Sequence, residues 1–297
     1  MISILIPAYN CNVTYLVEIL LNQAKRSTIP FEIIIADDGS TENFEQNRLL
    51  NSLEHCTYVR FDKNQGRTAI RNWLANEAKY SWLLFLDSDT IPSDDQFYNK
   101  YISVLKTKTQ YAVFLGGYTY RKSSEFNFNL RHQFGSKRES VSAALRSKNP
   151  YRYVFSGNLL IDKAVFLKCN PAQIKGYGLD LVFSGALFRE RVEMLHIDNP
   201  VFHDGLEDNS TFLMKCQETA TQIVEFEQQG LITVAQSRLL STLQKIESYH
   251  MSGVLRTWLW LKIPFMRFFL KLGIAPLLWL DFYKLYYSLS KKSKLCL

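Results

Sequence analysis

The sequence predicts an α/β fold: a mostly parallel, mixed sheet flanked by helices, followed by a helical C-terminal extension. Three observations carry this expectation. Near-continuous apolar runs alternate with helix-periodic segments up to Asp89, the pattern of parallel strands covered on both faces. Each run stops at a polar cluster, Pro7-Ala8-Tyr9-Asn10, Asp37-Asp38-Gly39 or Asp87-Ser88-Asp89, and ligands of such sheets sit at the carboxyl ends of the strands. The 297 residues are 47% hydrophobic and 21% charged, enough for a sizeable core and unlike a disordered, collagen-like or low-complexity chain.

In order, Met1–Pro7 reads as a buried strand. It lacks the basic start and the length of a signal peptide. Residues 12–26 place Val13, Leu16, Val17, Leu20 and Leu21 on one helical face. Phe31–Ala36 is a second strand, a third falls near Thr57–Phe61, a helix over Thr68–Ala78 and a strong strand over Ser81–Leu86. Beyond Asp89 the expected strands are Tyr111–Tyr120, Tyr153–Ile161 and Leu195–Phe202. The basic stretch 121–152 is expected as loop and helix over the site, and 211–250 as helix. Five scattered cysteines (Cys11, Cys56, Cys169, Cys216, Cys296) form no CxxC pair, which argues against a disulfide framework or zinc site and for a reducing compartment.

Charge is distributed unevenly. The formal net charge is +7, with 35 Lys+Arg and 28 Asp+Glu. Residues 253–297 hold eight bases and one acid, 8 − 1 = +7, so the first 252 residues are neutral with 27 of each. A nucleic-acid binder spreads its charge over a folded face, so no nucleic-acid partner is expected.

Asp87-Ser88-Asp89 directly follows the apolar run Trp82–Leu86. Two carboxylates flanking one residue at a strand mouth can hold a hard divalent cation, Mn²⁺ or Mg²⁺, and through it a diphosphate; an ordinary acidic turn is the alternative. Asp37 and Asp38 can accept hydrogen bonds from a nucleotide, or can cap a helix instead. Gly66 precedes a helix start, with Arg67 and Arg71 on one face at i, i+4, suited to a phosphate or equally to surface ion pairing. No Gly-x-Gly-x-x-Gly follows the first strand, and neither a Gly-Lys-Ser/Thr phosphate loop nor a Gly-x-Ser-x-Gly elbow exists, which disfavours nicotinamide oxidoreductase, P-loop and hydrolase readings.

Four segments in order, Ile2–Asn10 (ISILIPAYN), Ile33–Thr41 (IIIADDGST), Asn64–Asn72 (NQGRTAIRN) and Leu83–Pro92 (LLFLDSDTIP), resemble successive motifs of the family 2 glycosyltransferases over roughly residues 1–205. The resemblance implies a GT-A type, Rossmann-like fold and an inverting, metal-dependent transferase. Such an enzyme moves a sugar from a nucleotide-diphosphate donor to a hydroxyl of a glycan or lipid-linked acceptor. It further implies that Pro7, Ala8, Tyr9, Asn10, Asp37, Asp38, Gly66, Arg67, Arg71, Asp87, Ser88 and Asn158 bind the donor. Asp87 and Asp89 would be the metal pair, Asp89 the direct ligand, joined by His203 in Asn199–His203. Gly176-Tyr177-Gly178-Leu179-Asp180 resembles the stretch that carries the general base, which makes Asp180 the base, although Leu181 stands where a second acid is expected. That departure keeps an alternative open: a catalytically silent nucleotide-sugar-binding protein of the same fold.

Residues 253–290 carry ten aromatics among the bases, and the longest uncharged run, Leu272–Leu280, has nine residues. A bilayer span needs ~20 apolar residues, so the tail is expected to lie on a membrane surface rather than cross it, or else to pack as an ordinary helical pair. The expected organisation is a transferase domain over 1–210, a helical connector over 211–252 and a basic aromatic tail over 253–297. Together these place the protein in the cytoplasm, on the inner face of the membrane.

Overall fold

The computed structural model describes residues 1–122 and 128–295. Cys296 and part of the basic stretch lie outside them. The main sheet contains β1 (Ile2–Ala8), β2 (Phe31–Asp37), β3 (Cys56–Arg60), β4 (Trp82–Leu86), β6 (Val113–Leu115), β8 (Asn158–Asp162) and β9 (Met194–His196), in the order β3-β2-β1-β4-β8-β6-β9. β1 pairs in parallel with β2 and β4, while β8 runs antiparallel to β4 and β6. A small sheet of β5 (Thr90–Pro92), β10 (Val201–His203) and β7 (Tyr118–Thr119) stands at the carboxyl end of β4.

The helices are α1 (Thr14–Lys25), α2 (Phe44–Arg48), α3 (Arg67–Glu77), α4 (Phe97–Thr107), α5 (Leu130–Phe134), α6 (Ala143–Arg146), α7 (Lys163–Cys169), α8 (Leu179–Arg189), α9 (Asn209–Gln228), α10 (Arg238–Ser248), α11 (Ser252–Lys271) and α12 (Leu277–Leu295). Ile2, Ile4 and Ile6 of β1 pack with α1 and α4, and Leu5 packs with α3, α7 and α8. The alternating side chains of one apolar strand thus feed two cores, as the uninterrupted run predicts.

Two expected strands are divided, for one physical reason. Tyr111–Tyr120 splits into β6 and β7, and Leu195–Phe202 into β9 and β10, with each half in a different sheet. Arg146 is fully buried between them and donates to the carbonyls of Ile197 (2.6 Å) and Gly116 (3.1 Å). Gly117, at φ 86°, makes room for it: a Cβ there would stand 1.5 Å from the guanidinium. The expected strand Tyr153–Ile161 begins only at Asn158, because the chain makes a turn at Ser156-Gly157 just before it.

The C-terminal helices are not a loose appendage. α12 packs along α9, where Ser288 donates to the Ala220 carbonyl (2.8 Å) and Tyr283 to Gln217 (3.0 Å). Lys291 pairs with Glu225, and Lys292 with Glu227 (3.2 Å) and Glu247 (2.9 Å). Part of the tail's basic excess is therefore spent inside the fold.

Candidate active site

A cleft of about 500 Å³ opens at the carboxyl ends of β1, β2 and β4. Pro7, Ala8, Tyr9, Asp38, Arg67, Arg71, Asp87, Ser88, Asp89 and His203 line it, so most of the residues expected from sequence come together there. Asn10, Asp37, Gly66, Asn158 and Asp180 do not line this cleft, and the structure gives each a definite task.

Asn10 clips two loops together. Its amide N–H donates to Ser40 Oγ (2.8 Å), and its side-chain oxygen accepts from the Thr41 amide (2.8 Å). Asp37 is buried behind the cleft, accepting from the Ser40 amide (2.7 Å) and the Tyr58 hydroxyl (2.5 Å). Asp38 holds the turn that leads into a helix distant in sequence. Gly66 offers no side chain to the start of α3, so Asp38 takes the amides of Gln65 (2.6 Å) and Gly66 (3.0 Å) while still edging the cleft. Asn158 is wholly buried and held by Tyr101 (2.7 Å), the Gly117 carbonyl (2.8 Å) and the Asn199 carbonyl (2.9 Å). Asn10, Asp37 and Asn158, polar residues that look pocket-facing in sequence, use their polarity to hold the pocket's frame.

Asp87 is the charge hub. Arg71 pairs with one of its carboxylate oxygens, while Arg67 (3.2 Å) and the Tyr118 hydroxyl (3.3 Å) donate to the other. Burial pushes its carboxyl up, but Arg67, Arg71 and His203 outweigh that and hold it well below the usual carboxylate range. Gly157 permits this crowding, since a Cβ there would lie 2.1 Å from Asp87 Oδ2 and 2.2 Å from the Tyr118 oxygen. With both oxygens committed to arginines, Asp87 is poorly placed to ligate a metal, in contrast to the sequence expectation. Burial and the neighbouring Arg67 push Arg71 down, against the pull of Asp87.

Asp89 and His203 form the other wall. β10 pairs with β5 so that His203 faces Thr90, and the Asp204 amide donates to the Asp89 carbonyl (2.9 Å). This register brings His203 Nε2 to 3.8 Å from Asp89 Oδ2. His203 Nδ1 is buried without a hydrogen-bond partner among the described residues, and the ring sits against Tyr118 and Tyr120, so Nε2 is the nitrogen that can meet an ion. Gly205 keeps the approach open: a Cβ would stand 1.8 Å from Asp89 Oδ2. One carboxylate and one imidazole suit a manganese-like cation. Among the described residues no group of three or more His, Cys, Asp or Glu could hold a metal, so phosphate oxygens and water would complete the shell.

Asp180 lies in the first turn of α8, where the helix dipole favours a carboxylate. It accepts from Ser156 Oγ (2.6 Å), and its other oxygen is 3.7 Å from Arg67. Arg67 therefore spans Asp87 and Asp180 and ties the cleft to the neighbouring hollow that Asp180 lines. The Tyr177 amide donates to Gln222 (2.6 Å), which fixes the loop before α8. Leu181 turns away and packs against the apolar cluster shared with α9, α10 and α12.

Arg131, Tyr177, Gly205, Glu207 and Lys215 also line the cleft. Arg131 was visible only as one base of a basic stretch. Lys215 carried no sequence signal, because it arrives on α9 paired with Glu207.

A mixed sheet with an acidic pair at the end of its central strand, and a small second sheet bringing a histidine to that pair, defines a GT-A-like fold. Crystal structures of glucosyl-3-phosphoglycerate synthase from Mycobacterium tuberculosis share it. The complex with Mn²⁺, uridine diphosphate and phosphoglyceric acid aligns at TM-score 0.51 and 16% identity, over 75% of this chain and 77% of that one. The complex with Mg²⁺ and uridine diphosphate aligns at TM-score 0.51 and 16% identity, over 75% and 78%. Residues 3–169 match the Glycosyl transferase family 2 model, and the chain belongs to that family.

Among curated proteins, chondroitin synthase of Escherichia coli is 36% identical over 95 residues, 31% of this chain and 14% of that protein. An uncharacterized glycosyltransferase of Haemophilus influenzae is 38% identical over 91 residues, 30% and 29% of the two chains. Glycosyltransferase GlyG of Streptococcus pneumoniae is 30% identical over 130 residues, 43% and 42%. The matched stretches thus span less than half of these relatives.

Proposed function

We propose that this chain is an inverting, metal-dependent glycosyltransferase that moves a sugar from a nucleotide-diphosphate donor to a hydroxyl of a glycan or lipid-linked acceptor. The observation that carries this reading is Arg67, which reaches both Asp87 in the donor cleft (3.2 Å) and Asp180 beside it (3.7 Å). Asp38 and the exposed ring of Tyr9 take the nucleoside end. Asp89 and His203 would hold the divalent cation, which when bound neutralises charge on the leaving diphosphate. Asp180, oriented by Ser156, takes the proton of the acceptor hydroxyl as that oxygen bonds to the anomeric carbon. The bond from that carbon to the diphosphate breaks on the opposite face, and the nucleoside diphosphate leaves.

A donor panel with manganese, read by released nucleoside diphosphate, tests the assignment. Uridine-diphosphate sugars come first, because the structural neighbours bind uridine diphosphate. Turnover with at least one donor is expected. Donor binding without transfer or hydrolysis would instead support the silent-binder alternative.

The finer organisation we read as a transferase domain over 1–210, a connector over 211–252 and a tail over 253–297 that lies on the inner face of the membrane. Val254, Trp258, Leu261, Phe265, Phe268 and Leu272 follow one another at spacings of four and three along α11, and are between 46% and 71% exposed. Leu259, Ile263, Met266 and Leu270 are buried on the other side. The helix thus presents a second apolar stripe, flanked by Arg256, Lys262, Arg267 and Lys271, as a surface-lying helix does. No helix among the described residues is long and apolar enough to cross a membrane.

Phe265→Glu with Phe268→Glu is expected to reduce sedimentation with anionic vesicles at least about tenfold, since each buried Phe contributes about 1.5–3 kcal/mol. The melting temperature should stay unchanged. Equal sedimentation of the variant and the parent would remove the membrane clause.

A further inference from the structure

A second cavity, of about 490 Å³, lies between α5, the turn Gly135–Glu139, α10 and α12, and shares no lining residue with the donor cleft. Its floor is apolar, with Phe134, Leu239 and Leu285. Its charge is not balanced. Arg138 is spent on Asp281 (2.9 Å), the cavity's one acid, which leaves Arg152, Arg238 and Lys284 without a carboxylate partner in the lining. Lys284 lies over the Phe134 ring (4.4 Å), and Arg238 donates to the Tyr153 hydroxyl (3.1 Å).

Two buried donors in the lining have no hydrogen-bond partner among the described residues. Gln236 is 2% exposed and its carbonyl oxygen accepts from the Thr233 amide (2.8 Å), yet its Nε2 bonds to nothing among the described residues. Arg152 donates through Nη2 to the Val234 carbonyl (3.2 Å) and Ser241 (3.3 Å), while its Nε is equally unsatisfied.

Three cations call for an anion with several oxygens, and the floor calls for hydrocarbon attached to it. Leu278, exposed at the mouth, follows the exposed Leu272 and Ile274 and continues the apolar surface from the end of α11. We propose that this cavity binds the phosphate and the first chain segment of a phosphate-bearing lipid. The inference extends the membrane-surface reading of the tail by giving the surface a specific lipid contact, and its chemistry stands on the cavity alone.

The test uses the full chain in vesicle-free solution, titrated calorimetrically with farnesyl phosphate, farnesol and inorganic phosphate. Farnesyl phosphate is expected to bind at least about tenfold more tightly than either half-molecule, because both chemistries contribute. Arg238→Gln removes an exposed cation, and Thr242→Glu sets an acid on the exposed rim. Each is expected to weaken farnesyl phosphate about tenfold, with unchanged melting temperature. Affinity for uridine diphosphate with manganese, read in the same variants, should not move. Equal binding of inorganic and farnesyl phosphate overturns the lipid assignment, and unaltered farnesyl phosphate affinity in both variants overturns the site. Loss of nucleotide binding in the parent, with the farnesyl phosphate response intact, would sink the transferase reading and leave this one standing.

Discussion

Asp180→Asn is expected to lower kcat about 10²–10⁴-fold while donor affinity stays within about twofold, the signature of a lost proton acceptor rather than a lost contact. The local geometry should survive. Ser156 Oγ donates to Asp180 at 2.6 Å, and the asparagine carbonyl can accept the same bond. Arg67 loses one partner at 3.7 Å but keeps Asp87 at 3.2 Å. Asp180 is also one third exposed at the side chain, open to an incoming hydroxyl, whereas Asp87 is closed in by two arginines and a tyrosine. Single-turnover rates with a saturating donor, set beside nucleotide titrations, separate the two quantities. Undiminished kcat would move the base elsewhere.

Arg71→Met is expected to destabilise the fold by about 1.5–3 kcal/mol, because it strips a buried carboxylate of one of its two cations while Arg67 still pairs with it. The Arg71 side chain is 4% exposed and that of Asp87 14%, so water replaces little of the lost interaction. Adding Asp87→Asn should recover part of the loss, with a coupling of about 0.5–3 kcal/mol in urea-unfolding cycles. The pH dependence has a definite sign. Asp87 is held below its unfolded value, so its contribution is complete above the ordinary carboxylate range and disappears only as the pH falls through the lowered value. Stability from this pair should therefore be flat between about pH 5 and 8. An Arg71→Met protein as stable as its parent would show that the pair is not the cleft's support.

The strand ends were legible because apolar runs and their polar stops are local signals, and β1, β2 and β4 fall within a residue or two of expectation. The division of two strands was not, because it depends on Arg146 entering from a helix far along the chain to meet Gly117. The same limit applies to the site. A strand-end Asp or Asn looks alike in sequence whether it faces the cleft, as Asp89 does, or holds a loop, as Asp37 and Asn158 do. Leu181 appeared as a defect in an acidic motif. In the fold it joins the cluster under α9, α10 and α12, an apolar position set by helices at the other end of the chain. The tail's charge was correctly located, but Lys291 and Lys292 turn inward to glutamates, leaving the bases of α11 to face outward.

Asp89 and His203 are the pair on which the donor assignment turns. Titration of uridine diphosphate into the full chain, with manganese and with chelator, for the parent and for Asp89→Ala, measures it directly. Manganese-dependent binding is expected in the parent, weakened at least about tenfold by Asp89→Ala or by chelator. Binding of equal strength in all four titrations, or none in the parent with any nucleoside diphosphate, would contradict it.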